Sequence, residues 1–155
     1  MTRRNPAAVA GFATAVALGV AACGGAGADT AAGDELVVSD AWIRPTPPIT
    51  NVGAFYLTIR NGADVSDRLL AASSPRCAEI ELHQTTTVDG VASMSLAGVE
   101  ELTVAVGAEL VFEPNGLHVM CLGLDEPVVE GEEVPLTVEF ETSGSRTVQA
   151  AAENR

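Results

Sequence analysis

Both histidines of this chain and two of its three methionines follow one pattern of spacing. His83 and Met94 have ten residues between them, and His118 and Met120 follow with one residue between them. The third methionine is the initiator, Met1. Imidazole nitrogen together with thioether sulfur suits Cu(I), whereas Mg²⁺ and Ca²⁺ require oxygen ligands. Taken singly, a methionine in a strand is usually core filler, so the prediction of one Cu(I) site formed by these four residues rests on their joint placement.

The segments that must carry these residues are short β-type runs separated by turn signals, and no amphipathic helix of useful length is evident. Asp89-Gly90 is a hairpin signal between two of the runs. The spacing predicts an all-β domain, a Greek-key sandwich or barrel. The predicted strands are Val37–Arg44, Gly53–Arg60, Arg68–Ala72, Ala78–Gln84, Val91–Leu96, Leu102–Val106, Leu110–Phe112, Leu117–Leu124, Leu136–Glu141 and Thr147–Ala151.

Alternation along these strands predicts where the four candidate ligands point. In Leu117–Leu124, His118 and Met120 share one face, and the opposite face is the better core candidate. We therefore expect His118 and Met120 to point outward or toward a sheet edge. His83 ends an earlier strand and faces out, and a hairpin of this length can place Met94 opposite it. Three segments can thus present two nitrogens and two sulfurs at one mouth of the domain.

The N-terminus predicts export and lipidation. A short basic region precedes an apolar run from about Ala7 to Ala22, and the run ends in a sequence that resembles a bacterial lipobox, Val20-Ala21-Ala22-Cys23-Gly24. We expect residues 1–22 to be a lipoprotein signal peptide, Cys23 to be lipidated, residues 23–34 to be a flexible tether and residues 35–155 to be the copper-binding domain. This places the protein on the outer face of the cytoplasmic membrane. An ordinary secretory signal with a chance cysteine is the alternative.

The charge of the chain excludes one class of partner. It has 21 acidic and eight basic residues, for a net charge of −13. Cleavage before Cys23 would remove Arg3 and Arg4 and no acidic residue, which leaves −15 on the side chains. Nucleic-acid binding needs clustered Arg and Lys, so it is not expected. Membrane association would depend on the lipid anchor.

Two cysteines remain after Cys23. In a small domain outside the cytoplasm, Cys77 and Cys121 are more often joined as a disulfide than free. The competing interpretation makes one of them a metal ligand.

The ligand spacing and its surroundings resemble the periplasmic PCuAC-type copper chaperones. Asp40–Pro45 and Gly53–Asn61 are similar to the first two strands of that family, and Glu81-Leu82-His83 and Gly116–Met120 are similar to its two ligand segments. The resemblance covers residues 38–141. It implies a cupredoxin-like β-sandwich that binds one Cu(I) and delivers it to a partner copper site, commonly that of cytochrome c oxidase. We expect such a carrier to be a monomer.

This chain departs from the family pattern in two ways. Many members carry a further Met shortly after the first ligand, where this chain has Gln84, Thr85 and Thr86. The cysteines are also not part of the usual pattern. Cys121 adjoins Met120 and must point to the opposite face of a regular strand, which favours a structural disulfide over metal ligation. Regular alternation directs Cys77 away from the core, so the disulfide would need a bulge beside Pro75 to turn Cys77 toward Cys121.

Two other functions are consistent with parts of the sequence. A cupredoxin-type electron carrier needs a Cys thiolate with two His and a weak axial Met, and here the cysteine beside the His-Met pair is expected on the wrong face. A structural lipoprotein that binds no metal is the second alternative. We do not expect an enzyme, because thioethers suit hydrolytic zinc poorly and no nucleophile motif is present.

Overall fold

The computed structural model describes residues 35–155, which form ten β-strands. The predicted signal peptide, Cys23 and the tether lie outside these residues. Within the described part of the chain, no helix is long and apolar enough to cross a membrane. The strands are β1 (Leu36–Ile43), β2 (Val52–Asn61), β3 (Asp67–Ser73), β4 (Cys77–Val88), β5 (Val91–Leu96), β6 (Thr103–Val104), β7 (Glu109–Phe112), β8 (Leu117–Leu124), β9 (Glu133–Phe140) and β10 (Gly144–Ala152).

The strands form one continuous sheet in the order β5-β4-β8-β7-β2-β1-β10-β9-β3-β6. Two of its pairings, β1 with β10 and β7 with β8, are parallel, and the others are antiparallel. Strand β2 pairs with β8 through its first half and with β7 through its second half. Because side chains from β4, near one end of this order, and from β6, at the other end, pack into one core, the sheet must curl around it. The all-β prediction is confirmed.

The core is aliphatic with few aromatic residues, in a chain of which Phe, Trp and Tyr make up only 4%. Each core strand contributes alternate residues, the pattern expected where one face of a sheet is buried. The largest fully buried side chains are Phe55, Leu36, Ile43, Leu57, Ile59, Leu69, Leu136, Val104, Val119, Val128, Val134 and Val138.

Strand β4 is longer than predicted, and the reason lies in its hairpin with β5. The β-branched run Thr85–Val88 continues the ladder to the turn at Asp89-Gly90. Asp89 and Gly90 have φ values of 51° and 80°, as a type I′ turn requires. The extension lets Met94 pair within the same hairpin that holds His83.

Strand β9 begins earlier than predicted, although it contains Pro135. Its pairing with β3 reaches only from Phe140 to Thr137, so Pro135 has a strand neighbour, β10, on one side. Pro135 therefore lies at an edge position of the sheet, where the missing N–H of proline is tolerated.

Candidate metal centre

Three neighbouring strands carry the four predicted ligands. His83 lies on β4, Met94 on β5, and His118 and Met120 on β8, with β4 between the other two strands. His83 and His118 are direct cross-strand partners. Their rings meet edge to face, with centroids 5.7 Å apart and an angle of 80° between the planes. The pairing of β4 with β8 therefore brings the two imidazoles together.

Met94 joins the pair from the far side of the hairpin. The residue directly opposite His83 is Leu96, and Met94 is opposite Thr85. Met94 is thus the diagonal neighbour of His83 on the same face, within reach of a long side chain. The expectation that Met94 lies directly opposite His83 is wrong, because Met94 lies two residues along β5 from that position. The two side chains are nevertheless in contact, with Nδ1 of His83 3.0 Å from Sδ of Met94.

A cavity of about 560 Å³ adjoins these residues, and Met94, His118 and Met120 all line it. Its other walls come from Arg44–Pro47 after β1, from the start of β2, and from Pro114 and Asn115 before β8. His83 borders this group through its contacts with Met94 and His118. The structure therefore brings together all four residues that the spacing singled out.

His118 is more enclosed than expected. Its side chain lies on the face opposite the core residues Val119 and Cys121, as predicted, yet only 6% of the residue is exposed. The predicted face is therefore confirmed, but the predicted outward, solvent-facing position is wrong, because His118 is buried beside the cavity. Nδ1 of His118 lies 3.1 Å from the carbonyl oxygen of Gly116. A carbonyl can only accept, so Nδ1 carries the proton and Nε2 has a free lone pair for a metal.

Glu81 is a site residue that the sequence reasoning missed. Its Oε2 lies 2.8 Å from Nε2 of His83, and it occupies the cross-strand position opposite Met120. A signal was available: Glu81 precedes His83 by two residues in a strand, so their side chains share a face. The carbonyl contact of Gly116, by contrast, depends on the loop before β8 and has no sequence signal.

The cavity wall also contains Tyr56 and Arg44. The Arg44 guanidinium lies 5.9 Å from the centroid of the Tyr56 ring, and Tyr56 stacks on Trp42 with centroids 4.3 Å apart. Burial raises the pKa of Tyr56, and the charge of Arg44 opposes this only in part. The phenol therefore stays neutral at physiological pH.

The donor set fits a soft cation. Among residues 35–155, no group of three or more His, Cys, Asp and Glu side chains gathers into a metal site. Two imidazoles and two thioethers, all uncharged, are suited to Cu(I) rather than to cations that require carboxylates.

The cysteines do not contribute to this donor set. In the structure a disulfide joins Cys77 to Cys121, with Cα atoms 5.5 Å apart, and Cys121 is fully buried in the core. Strands β4 and β8 keep one register from Cys77 to Gln84. The expectation that a bulge beside Pro75 turns Cys77 toward the core is therefore wrong. The irregular residue is instead Gly123 on β8, which has a left-handed φ of 63°. It lies between Cys121 and Leu124, the strand partner of Cys77, and bends β8 there.

Comparison with known proteins shows the family. The model of the family described as LpqE-like lipoproteins matches residues 36–152, nearly all of the described domain. This chain belongs to the LpqE-like family. A protein of Leifsonia xyli subsp. xyli that is described as a lipoprotein, Lxx21020, is 26% identical over 115 residues, which is 74% of this chain and 68% of that protein.

Solved structures of PCuAC domains share the fold of this LpqE-like chain. The copper-bound PCuAC domain from PmoF2 has a TM-score of 0.64 and 21% identity, over 80% of this chain and 97% of that domain. The CuI-DR1885 structure from Deinococcus radiodurans has a TM-score of 0.60 and 30% identity, over 83% of each chain. The predicted resemblance to PCuAC-type proteins and the cupredoxin-like fold are confirmed.

Proposed function

We propose that this LpqE-like protein is an extracytoplasmic copper carrier that binds one Cu(I) through His83, Met94, His118 and Met120. The observation that carries the proposal is the contact of His83 with Met94, 3.0 Å from nitrogen to sulfur, beside the His118 ring and a cavity that Met120 also lines. Two imidazoles and two thioethers, carried by three neighbouring strands, are thus available to one ion.

The site suits a cargo that must leave again. Met94 is about half exposed (53%) on an edge strand, whereas His118 is buried. An acceptor can replace the exposed thioether first and then reach the metal while the deeper ligands still hold it. A resident cofactor would instead be enclosed by its ligands.

The relatives support the choice of metal. One solved PCuAC domain of the same fold is copper-bound, and the DR1885 structure, at 30% identity, contains Cu(I). The family resemblance further suggests that the acceptor is a copper site such as that of cytochrome c oxidase. Transfer can be tested by mixing the Cu(I)-loaded domain with a soluble copper-free acceptor domain and following the metal in each after separation.

The N-terminus and the family also support a proposal for the cellular location. The lipobox-like sequence at Cys23 and the lipoprotein relatives support anchoring by lipid on the outer face of the cytoplasmic membrane. Wild-type protein should partition into the detergent phase after phase separation of a nonionic detergent. A Cys23→Ser variant should remain in the aqueous phase, and equal partitioning of the two would contradict lipidation.

The decisive experiment is an anaerobic Cu(I) titration of residues 35–155 against a competing chelator. Wild type should bind one equivalent. Met94→Leu and Met120→Leu keep size and apolarity but remove the sulfur, so the fold should persist while affinity falls. Val91→Ala, on the same strand as Met94 and outside the cavity lining, is the matched control and should bind as wild type. Undiminished affinity in both Met variants would show that the site is wrong.

The cupredoxin-type electron carrier makes a different prediction. It requires a Cys thiolate on Cu(II), but Cys121 is buried on the core face and bonded to Cys77. Intense visible absorption after addition of Cu(II) would favour that function.

A further inference from the structure

The contact between Glu81 and His83 determines which nitrogen of His83 can bind a metal. Oε2 of Glu81 lies 2.8 Å from Nε2 of His83. An ionised carboxylate only accepts hydrogen bonds, so Nε2 must carry the proton. The opposite tautomer would place a lone pair of Nε2 against a negative oxygen. In the neutral imidazole, which is the form that binds a metal, Nδ1 is therefore left as the free base.

The free nitrogen faces the other donors. Nδ1 of His83 is the atom that lies 3.0 Å from Sδ of Met94. His118 is held in the reverse sense, because its Nδ1 faces the carbonyl of Gly116 and its Nε2 is free. Each imidazole thus has one nitrogen occupied by a protein acceptor and the other available, the arrangement that orients metal-binding histidines.

The carboxylate also supplies charge. All four candidate ligands are neutral, so a bound Cu(I) adds one positive charge to a partly enclosed site. The Glu81 side chain is about one-third exposed (35%) and lies opposite Met120, close to where that charge would sit. A nearby opposite charge offsets the cost of removing the cation from water.

We propose that Glu81 is a positioning residue for copper binding: it fixes the tautomer of His83 so that Nδ1 is the donor, and it balances the charge of Cu(I). This inference rests on the proposed function for its copper-binding part, but its first half concerns the metal-free protein.

The metal-free protein gives the first test. In ¹⁵N NMR spectra of the apo domain, His83 should be protonated on Nε2, and Glu81→Ala should convert it to a mixture of tautomers. Glu81→Gln retains an oxygen acceptor and should restore the wild-type tautomer. Glu79→Gln removes the same charge from the same strand without a hydrogen bond to His83 and is the matched control. An unchanged tautomer in Glu81→Ala would overturn the proposal.

Copper binding gives the second test. Adding Cu(I) should shift Nδ1 of His83 and Nε2 of His118, and a shift at Nε2 of His83 instead would overturn the assignment. Glu81→Ala should lose about 10–100-fold in Cu(I) affinity. Glu81→Gln should lose less, since it keeps the orientation but not the charge, and Glu79→Gln should match wild type. Wild-type affinity in Glu81→Ala contradicts the proposal. If the wild type binds no Cu(I), the proposed function fails, while the apo spectra still decide whether Glu81 holds His83.

Discussion

Individual residues of the candidate site differ in how readily they meet solvent. His118 is buried, His83 is largely covered, and Met94 is half exposed at the sheet edge. This gradient gives the site an outer and an inner side. We infer that an incoming acceptor meets the sulfur of Met94 before either imidazole.

The two methionines allow a direct test of whether both sulfurs bind. Apart from Met1, the chain contains only Met94 and Met120, so a domain of residues 35–155 labelled on methionine methyl carbons should give two NMR signals. Both should move together and stop moving at one equivalent of Cu(I), because both sulfurs bind the same ion. If one signal stays in place, that methionine is filler and the donor set is smaller.

What the sequence predicts at the residue scale is the type and face of each donor. The identities and spacing of His83, Met94, His118 and Met120 suffice, because strand alternation determines which side chains share a face. The burial of His118 could not be predicted, since the cavity that it lines is completed by loop residues after β1 and before β8. Glu81 could have been found from the same alternation that located His83.

At the scale of elements, β4 and β8 form the frame of the site. Together they carry His83, His118 and Met120, and the disulfide ties the same two strands. Two of the three ligand-bearing strands are therefore held together independently of the metal.

Loss of the disulfide should weaken the fold and leave the donor set intact. The bridge spans 44 residues of sequence, so a Cys77→Ser, Cys121→Ser variant should be less stable by roughly 3–4 kcal/mol on the chain-entropy model. Urea unfolding measures this difference. The variant should still bind one Cu(I) under conditions where it is folded; loss of the metal would mean that a cysteine is a ligand. Thiol labelling of the denatured, unreduced domain should find no free thiol.

The bend at Gly123 should be intolerant of a side chain. Its φ is 63°, and a Cβ would lie 2.7 Å from Cβ of Ala78 on β4. Gly107 has a similar φ of 71° but nothing within 4 Å, so it is the matched control. Both Gly→Ala changes should incur the left-handed penalty of about 1–2 kcal/mol, and Gly123→Ala should cost more because of the clash. If Gly123→Ala and Gly107→Ala lower the free energy of unfolding equally in urea, the close approach of Gly123 to β4 is unimportant.

Most strands were predictable because turn signals and alternation agree. The exceptions have local causes. Strand β4 runs on through Thr85–Thr87 because a hairpin partner is available, and β9 includes Pro135 because β3 has already ended. The sheet order could not be predicted, since pairing of distant strands such as β1 with β10 is decided by packing across the core.

Across the whole molecule, Asp67 links the sheet to the turn between β9 and β10. It is buried, and its carboxylate accepts hydrogen bonds from the backbone N–H groups of Arg68, Thr142 and Ser143. Burial by itself raises the pKa of Asp67, but the hydrogen bonds from Ser143, Thr142 and Arg68 outweigh it and lower the pKa below its ordinary value.

This lowered pKa makes stability depend on pH with a definite sign. The unfolded chain takes up the proton near pH 3.9, so the contribution of Asp67 is fully present above about pH 4 and disappears as the pH falls through the folded-state pKa. Asp67→Asn should lower the free energy of unfolding by about 1.5–3 kcal/mol at pH 7. In urea unfolding, the difference in free energy of unfolding between wild type and Asp67→Asn should stay the same from pH 7 to pH 5. The difference should become smaller in more acidic solution. A difference that stays constant in acid would contradict the role of the ionised carboxylate.

The stacking of Trp42 on Tyr56 gives the molecule an optical reporter. Trp42 is the single tryptophan of the chain and is almost fully buried, so its fluorescence comes from one defined environment. Its stacking partner forms part of the cavity wall beside Met94, His118 and Met120. We expect an ion or ligand that binds in that cavity to displace solvent beside Tyr56 and so to change the fluorescence of Trp42. Loading and release of the cargo can therefore be followed in real time without a dye, a label or a competing chelator.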